Sequence, residues 1–226
     1  MLSMPARCWL CEMPLRLPGH GICSLCLRSL PSLAVCPRCG LPSAHPALAC
    51  GRCLLRPPPW QRLVAVSDYS PPLSTLVTRF KFHRTTALTA PLARLILLRW
   101  LSLRRAQAIV APDLLLSVPL HRRRVLRRGF NQAALLARQL AHWLGCEYAA
   151  DGLRRIRHGR AQRALSAAGR RRNLRGAFRL ALAVAGRHVA IVDDVVTTGS
   201  TVGELCRLLQ AAGAASVQVW CLCRTL

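Results

Sequence analysis

Acidic residues are scarce in this chain. Asp and Glu number 8 among 226 residues, against 33 Lys and Arg, for a formal net charge of +25. Lysine is scarce too: Lys81 is its single occurrence, and arginine carries the rest of the positive charge. Aromatic residues make up only 5%, so stacking platforms for nucleic-acid bases would rest on a few side chains; Phe130, Trp143 and Phe178 lie beside basic stretches. No apolar run reaches the roughly 18 residues of a spanning helix. The richest stretch, Leu92 to Leu103, is interrupted by Arg94 and Arg99. The first residues, Met1 to Cys8, lack a basic region followed by an apolar one, as a secretory signal would have. These absences lead to the expectation of a soluble, cytoplasmic protein with no membrane span.

Apolar residues make up 52%, enough for a sizeable core, and this excludes a disordered chain. A field as positive as this one favours polyanions: nucleic acid, an anionic surface or small phosphorylated ligands. Arginine in an Ala- and Leu-rich background is also what a biased composition yields. Bias does not account for the scarcity of acids, and against it the adjacent pair Asp193-Asp194 demands a reason.

Cysteine is abundant by contrast. Of 12 cysteines, eight form four Cys-x-x-Cys pairs: Cys8/Cys11, Cys23/Cys26, Cys36/Cys39 and Cys50/Cys53. Two intervening residues let a tight turn aim both sulfurs at one ion, and two such pairs complete a tetrahedral thiolate site for structural zinc. Disulfides are the competing account, disfavoured in a reducing compartment. Consecutive pairing would join Cys8, Cys11, Cys23 and Cys26 in one site and Cys36, Cys39, Cys50 and Cys53 in another. A cross-braced pairing would swap the partners; consecutive pairing is the expectation, because each half then closes a short loop. Cys146, Cys206, Cys221 and Cys223 lie in apolar surroundings and are expected to be buried thiols.

The stiff stretch Leu54 to Trp60, with three consecutive prolines, separates a cysteine-rich module (1–56) from a larger domain (57–226). The larger part alternates strand and helix patterns. Strands are expected at Arg62–Asp68, Leu114–Val118, His188–Val192 and Ser216–Cys223. Helices are expected around Leu73–Phe80, over Ala87–Leu103, over 131–144 on Leu136, Leu140, Trp143 and Leu144, and over Val202–Ala212. This alternation implies an α/β fold with a mostly parallel sheet, whose ligands gather at the carboxyl ends of the strands. The block 153–175 differs, with nine arginines, no acid and little periodicity.

The segment Val189 to Thr201 reads Val-Ala-Ile-Val-Asp-Asp-Val-Val-Thr-Thr-Gly-Ser-Thr. A buried strand delivers two carboxylates, a turn rich in hydroxyls follows, and a helix starts. Backbone N–H groups at the helix start, with Thr and Ser hydroxyls, make a cradle for a phosphate, and Gly199 permits close approach. The carboxylates repel phosphate and suit ribose hydroxyls or the water shell of magnesium instead. As mere helix caps, Ser200 and Thr201 would leave Asp193, Gly199 and the other hydroxyls without a use.

This segment resembles the thirteen-residue signature of type I phosphoribosyltransferases. Over nearly its whole length the chain resembles the ComF family of competence-related proteins, which join a cysteine-rich zinc module to such a domain. The matching stretches are Leu116 to His121, Arg127 to Gln132, Arg170 to Phe178, and Phe80-Lys81-Phe82-His83. The resemblance implies the type I phosphoribosyltransferase fold behind a small double zinc-ribbon-like module. It implies that Asp193 and Asp194 bind the ribose of phosphoribosyl pyrophosphate, accompanied by Mg2+. Thr197, Thr198, Gly199, Ser200 and Thr201 would hold the 5-phosphate. Pro119, Leu120, His121 and Arg122 would occupy the place of the pyrophosphate loop, and the 153–175 block that of the mobile hood. Purine-salvage members carry an Asp at the position of Thr197, so purine-base salvage is disfavoured. No general base can be named; Lys81, His83 and Arg122 are candidates for the catalytic site.

Three functions compete. The first is a phosphoribosyl-pyrophosphate-binding protein or transferase with an unidentified acceptor. The second is a single-stranded-DNA-binding scaffold in DNA uptake or utilisation, as the family implies, using the five arginines between His121 and Arg128. The third is a sensor that binds the ligand without turnover and meets a partner through its zinc module.

Overall fold

The computed structural model describes residues 6–31, 34–120, 129–156, 174 and 176–225. Five strands form one parallel sheet in the order β1-β7-β6-β2-β3: β1 Arg62–Asp68, β2 Leu114–Ser117, β3 Glu147–Tyr148, β6 His188–Val196 and β7 Ser216–Arg224. Two short strands, β4 Leu153–Arg155 and β5 Phe178–Leu180, pair antiparallel in a separate ribbon. The apolar sequences of β2, β6 and β7 are those of strands covered on both faces, and their side chains are nearly all buried.

One face carries α3 Leu73–Phe82, α4 Thr89–Ala106 and α5 Gln132–Leu144, whose apolar stripes bury Phe80, Leu92, Ile96, Trp100, Leu136 and Leu140 against Ala190, Val192 and Trp220. Trp100 and Trp220 meet there with ring centroids 5.3 Å apart. The other face carries α6 Ser200–Ala211 and the β4–β5 ribbon, packed on Val189, Ile191, Val217 and Val219.

The expected elements form, with small shifts at their ends, the additional short strands β3, β4 and β5, and three further differences. First, the stretch Thr86–Ala106 is long and apolar enough, by length and composition, to cross a membrane, contrary to the reading that no stretch is. An unbroken helix carries apolar residues past Arg94 and Arg99, and its buried residues Leu92, Leu95, Ile96 and Trp100 belong to the core beside the sheet. Second, Trp143 is not on the buried face of α5. Successive helical residues turn by about 100°, so Ala133, Ala137 and Ala141 join Leu136 and Leu140, and Trp143 stays exposed. Third, β6 runs four residues past Val192, and α6 starts two residues before Val202.

The N-terminal module is a structural repeat. In each half a knuckle closes through Cys8 N–H to Met13 O (2.9 Å) or Cys36 N–H to Leu41 O (2.8 Å). The turn uses left-handed backbone at Glu12 in the first half and Gly40 in the second. The second cysteine pair then opens a short helix, α1 Ser24–Arg28 after Cys23 and α2 Gly51–Leu55 after Cys50.

Candidate functional site at the sheet switch point

The chain leaves β2 toward one edge of the sheet, through β3, and leaves β6 toward the other, through β7. The switch point lies between β2 and β6, where an open parallel sheet leaves a crevice beyond its carboxyl ends. Val118 N–H donates to Val192 O at 3.0 Å, which continues the β2–β6 register so that Val118 lies beside Asp193 and Pro119 follows it. Asn131 fixes this corner from the other side. Its Nδ2 donates to Val118 O at 3.0 Å, and its Oδ1 accepts from Ala133 N–H at 3.1 Å as the cap of α5.

Asp193 and Asp194 lie within β6 rather than beyond it, so they project to opposite sides of the sheet. Asp194, on the side of α3, meets the single lysine: Lys81 Nζ is 2.9 Å from Asp194 Oδ1, with both side chains largely buried. Asp193 sits opposite Cys221 in the β6–β7 register, and its Oδ1 accepts from Asp194 N–H at 2.8 Å. Burial pushes the Asp193 carboxyl well above the usual carboxylate range, and the neighbouring Asp194 charge pushes it further.

The stretches Phe80–His83 and Gly129–Gln132, remote in sequence, meet here. The Phe80 and Phe130 rings lie 5.9 Å apart, and Gln132 Nε2 is 3.5 Å from Lys81 O. His83 ends α3 and is exposed. A third carboxylate comes from the end of β1: Asp68 Oδ1 accepts from Ser67 Oγ (2.9 Å) and Ser70 Oγ (2.8 Å). The Cys223 thiol, held at about 12 chiefly by burial, feels Lys81, Asp194 and Asp68 together, which locates all three around the end of β7.

After Val196 the chain turns into α6. Thr197 and Thr198 are exposed, Thr198 Oγ1 contacts Ser200 Oγ at 2.8 Å and accepts from Ser200 N–H at 3.3 Å, and Thr201 stands in the first helical turn. Gly199 has φ +74° as the residue before the helix, and a Cβ there would stand 3.1 Å from Trp60 Cη2. Left-handed backbone and close ring contact together call for glycine. The loop so formed brings the Thr198 and Ser200 hydroxyls together at a helix start, an arrangement suited to an oxyanion. The ribbon borders it: Gly176 N–H donates to Glu204 Oε1 of α6 at 3.1 Å. Thus Asp193, Asp194, Lys81, Pro119, Leu120 and the 197–201 loop gather at one end of the sheet. His121, Arg122 and most of the arginine-rich 153–175 block, residues 157–173 and 175, lie outside the described residues.

The eight module cysteines form two groups, Cys8, Cys11, Cys23, Cys26 and Cys36, Cys39, Cys50, Cys53, with ligand atoms within 4.8 Å of one another in each. The grouping is the consecutive one. Cys11 and Cys23 sulfurs are 3.8 Å apart and Cys39 and Cys50 sulfurs 3.7 Å. A tetrahedron with Zn–S of ~2.3 Å has sulfurs ~3.8 Å apart, so both groups fit zinc and could hold it. Burial raises the Cys8 and Cys36 thiols, but backbone N–H groups outweigh it and bring them to about 6 and about 7. Among the other cysteines, Cys206, Cys221 and Cys223 are buried thiols, as expected, and Cys146 is half-buried.

Three site residues escaped the reading of the sequence. Asp68 ends an ordinary strand. Trp60 had a visible signal, a tryptophan directly after three prolines in an aromatic-poor chain. Arg224 is one arginine among many, yet it is buried beside the loop.

The phosphoribosyl transferase domain matches residues 125–226. DNA utilization protein YhgH of Salmonella typhimurium is 58% identical over 227 residues, 100% of both chains. Competence protein F of Haemophilus influenzae is 40% identical over 221 residues, 96% of both chains. Among solved structures, the allosteric regulatory enzyme of purine biosynthesis aligns at 27% identity over 53% of this chain and 23% of its own, with a TM-score of 0.34. The expected phosphoribosyltransferase fold behind two four-cysteine groups stands.

Proposed function

This chain belongs to the ComF family, and we propose that it binds phosphoribosyl pyrophosphate at the β2–β6 switch point as a phosphoribosyltransferase-like protein. The observation that carries the reading is the joining of Asp193-Asp194 to the Gly199 turn and the start of α6. In this reading Thr197, Thr198, Gly199, Ser200 and Thr201 hold the 5-phosphate through N–H and hydroxyl donors. Asp193 and Asp194 take the ribose hydroxyls. Pro119, Leu120 and His121 line the pyrophosphate side, and magnesium enters as part of the substrate complex.

Lys81 shares Asp194, so a ribose bound there lies beside an ammonium group suited to pyrophosphate oxygens. If transfer occurs, Lys81 and Arg122 are the groups we assign to stabilising the departing pyrophosphate. The two four-cysteine groups serve as closed structural zinc sites, since four thiolates leave no open coordination position. Thiolate ligands of this number suit a reducing compartment, and we assign the protein to the cytoplasm. We keep the division into a module at 1–56 and a ligand-binding domain at 57–226.

A calorimetric titration of the zinc-loaded protein with phosphoribosyl pyrophosphate and magnesium tests the reading. Saturable binding that disappears in the Asp193→Asn/Asp194→Asn variant supports it. Absence of binding by folded, metal-replete wild type overturns it.

The net charge of +25 and the name of one relative, DNA utilization protein YhgH, favour a second reading, in which the same fold binds single-stranded DNA during DNA utilisation or uptake. It requires affinity that falls steeply with salt and weakens when Arg122, Arg123 and Arg124 are neutralised. Binding indifferent to salt rejects it.

A further inference from the structure

The two four-cysteine groups dock in different places. The first sits against the helical face: Ile22 is buried among the core residues beside α4, a Cβ on Gly21 would overlap Pro91 of α4, and the Arg79 guanidinium lies 5.1 Å over the Trp9 ring. The second sits beneath the phosphate loop. Its knuckle is Cys36-Pro37-Arg38-Cys39, and three successive carbonyls of that knuckle accept hydrogen bonds from the large domain. Pro37 O accepts from Leu63 N–H at 3.0 Å, Arg38 O from Trp60 Nε1 at 2.6 Å, and Cys39 O from Arg224 Nε at 3.0 Å.

Two of these three donors carry the contact onward to the loop. The Trp60 ring packs against Gly199 at the loop's turn and against Gly203 one helical turn later. The buried Arg224 guanidinium turns its Nη1 to the carbonyls of Val196, Thr197 and Thr225, the first two being the residues that lead into the loop. Arg38 Nη1 returns a bond to Trp60 O at 3.3 Å. Knuckle carbonyls point where they do because Cys36 and Cys39 aim their sulfurs at a common centre. A change in that centre therefore moves the acceptors of Trp60 and Arg224, and with them the floor of the loop.

We propose that Trp60 and Arg224 are positioning residues that tie the phosphate loop to the second four-cysteine centre, so that the loop's order depends on that centre and not on the first. Arg224 is suited to this because a planar guanidinium donates from separate atoms, Nε to Cys39 O and Nη1 to Val196 O, whereas a lysine ammonium is a single compact donor without that fork. The consequence for ligand affinity rests on the function proposed above; the coupling itself does not, and it is read in the ligand-free protein.

Hydrogen exchange followed by mass spectrometry on zinc-loaded, full-length protein tests it. Peptides covering 197–206 report the loop, including the Gly203 N–H that donates to Gly199 O at 2.8 Å, and peptides from α5 serve as the internal reference. Cys50→Ala, with its zinc content measured, is expected to speed loop exchange about tenfold while α5 is unchanged. Cys11→Ala, which removes a ligand of the first centre, is expected to leave the loop at the wild-type rate. Trp60→Phe keeps a ring on Gly199 and deletes the donor to Arg38, and Arg224→Lys keeps the charge and deletes the fork. Both are expected to reproduce the effect with both zinc ions retained. They also decide the matter should Cys50→Ala unfold and raise exchange everywhere.

Loop exchange at the wild-type rate in Trp60→Phe and Arg224→Lys overturns the proposal, as does an equal response to Cys11→Ala and Cys50→Ala. Calorimetry on the same proteins separates the two readings. Loop loosening without ligand binding by wild type keeps the coupling and rejects the ligand. Ligand binding untouched by loop loosening keeps the ligand and rejects the coupling's role in affinity.

Discussion

Lys81 Nζ stands 2.9 Å from Asp194 Oδ1, joining the chain's single lysine to the second carboxylate of its acidic pair. The pair closes the gap between α3 and β6 at the mouth of the site. With side chains 14% and 13% exposed, it is largely withdrawn from water. Removing one partner of such a pair leaves the other charge buried and uncompensated. Lys81→Met is therefore expected to destabilise the fold by about 3 kcal/mol, the lower end of the cost for breaking a buried pair. Urea denaturation at neutral pH measures this, and Lys81→Arg is expected to recover most of the loss.

Asp193 makes a prediction with a definite sign in pH. Its carboxyl is held above the ordinary range, first by burial and then by the Asp194 charge, so the native state keeps a proton that the unfolded chain has released. Native stability must then fall as pH rises from the unfolded value near ~3.9 through the raised native value. Asp193→Asn abolishes that penalty. In thermal melts of ligand-free protein the variant is expected to gain on wild type at pH 8 and to lose its advantage toward pH 4, while ligand binding falls.

Gly199 is held at φ +74° with the Trp60 ring against it. Gly199→Ala is expected to cost roughly 1–2 kcal/mol from left-handed backbone alone. Its Cβ, at 3.1 Å from Trp60 Cη2, requires the ring to shift as well. Guanidinium denaturation and intrinsic Trp fluorescence would record the two effects together; wild-type values in both would contradict this account of the turn.

Asn131 serves two elements with one amide, capping α5 and holding Val118 O at the end of β2. Asn131→Ala is expected to lose about 1–2 kcal/mol through the cap and the unpaired carbonyl. Asn131→Asp keeps the cap acceptor and deletes the donor to Val118. Comparing the two by denaturation separates the helix contribution from the contribution to the Pro119 corner.

Much of this was legible because it is local. Arg62–Asp68 holds a short apolar run like a buried strand and is one, Gly145 ends α5 in left-handed backbone, and the Val189–Thr201 segment contains in consecutive residues most of what surrounds its own turn. The four Cys-x-x-Cys pairs likewise state their chemistry in their spacing. What misled was also local. A strand rule ends β6 at the first charge, but the parallel neighbour β7 keeps the backbone paired through Asp193 to Val196, so the carboxylates stand inside the sheet. Trp143 falls at an apolar spacing, but three alanines leave room for the sheet on a different side of α5.

The sequence by itself determined the Val189–Thr201 segment, the alternating α/β pattern and the four Cys-x-x-Cys pairs, because each is specified by residues close together in the chain; which pairs share a centre was decided by the fold. Only the tertiary structure decided which distant residues complete the site. Lys81 reaches Asp194, Asn131 reaches Val118, and Arg224 joins Cys39 to Thr197 only after the sheet is assembled in the order β1-β7-β6-β2-β3. Those contacts depend on strand order and helix packing, which no local pattern encodes. An arginine or lysine acquires its role from the buried carboxylate or carbonyl that folding brings to it.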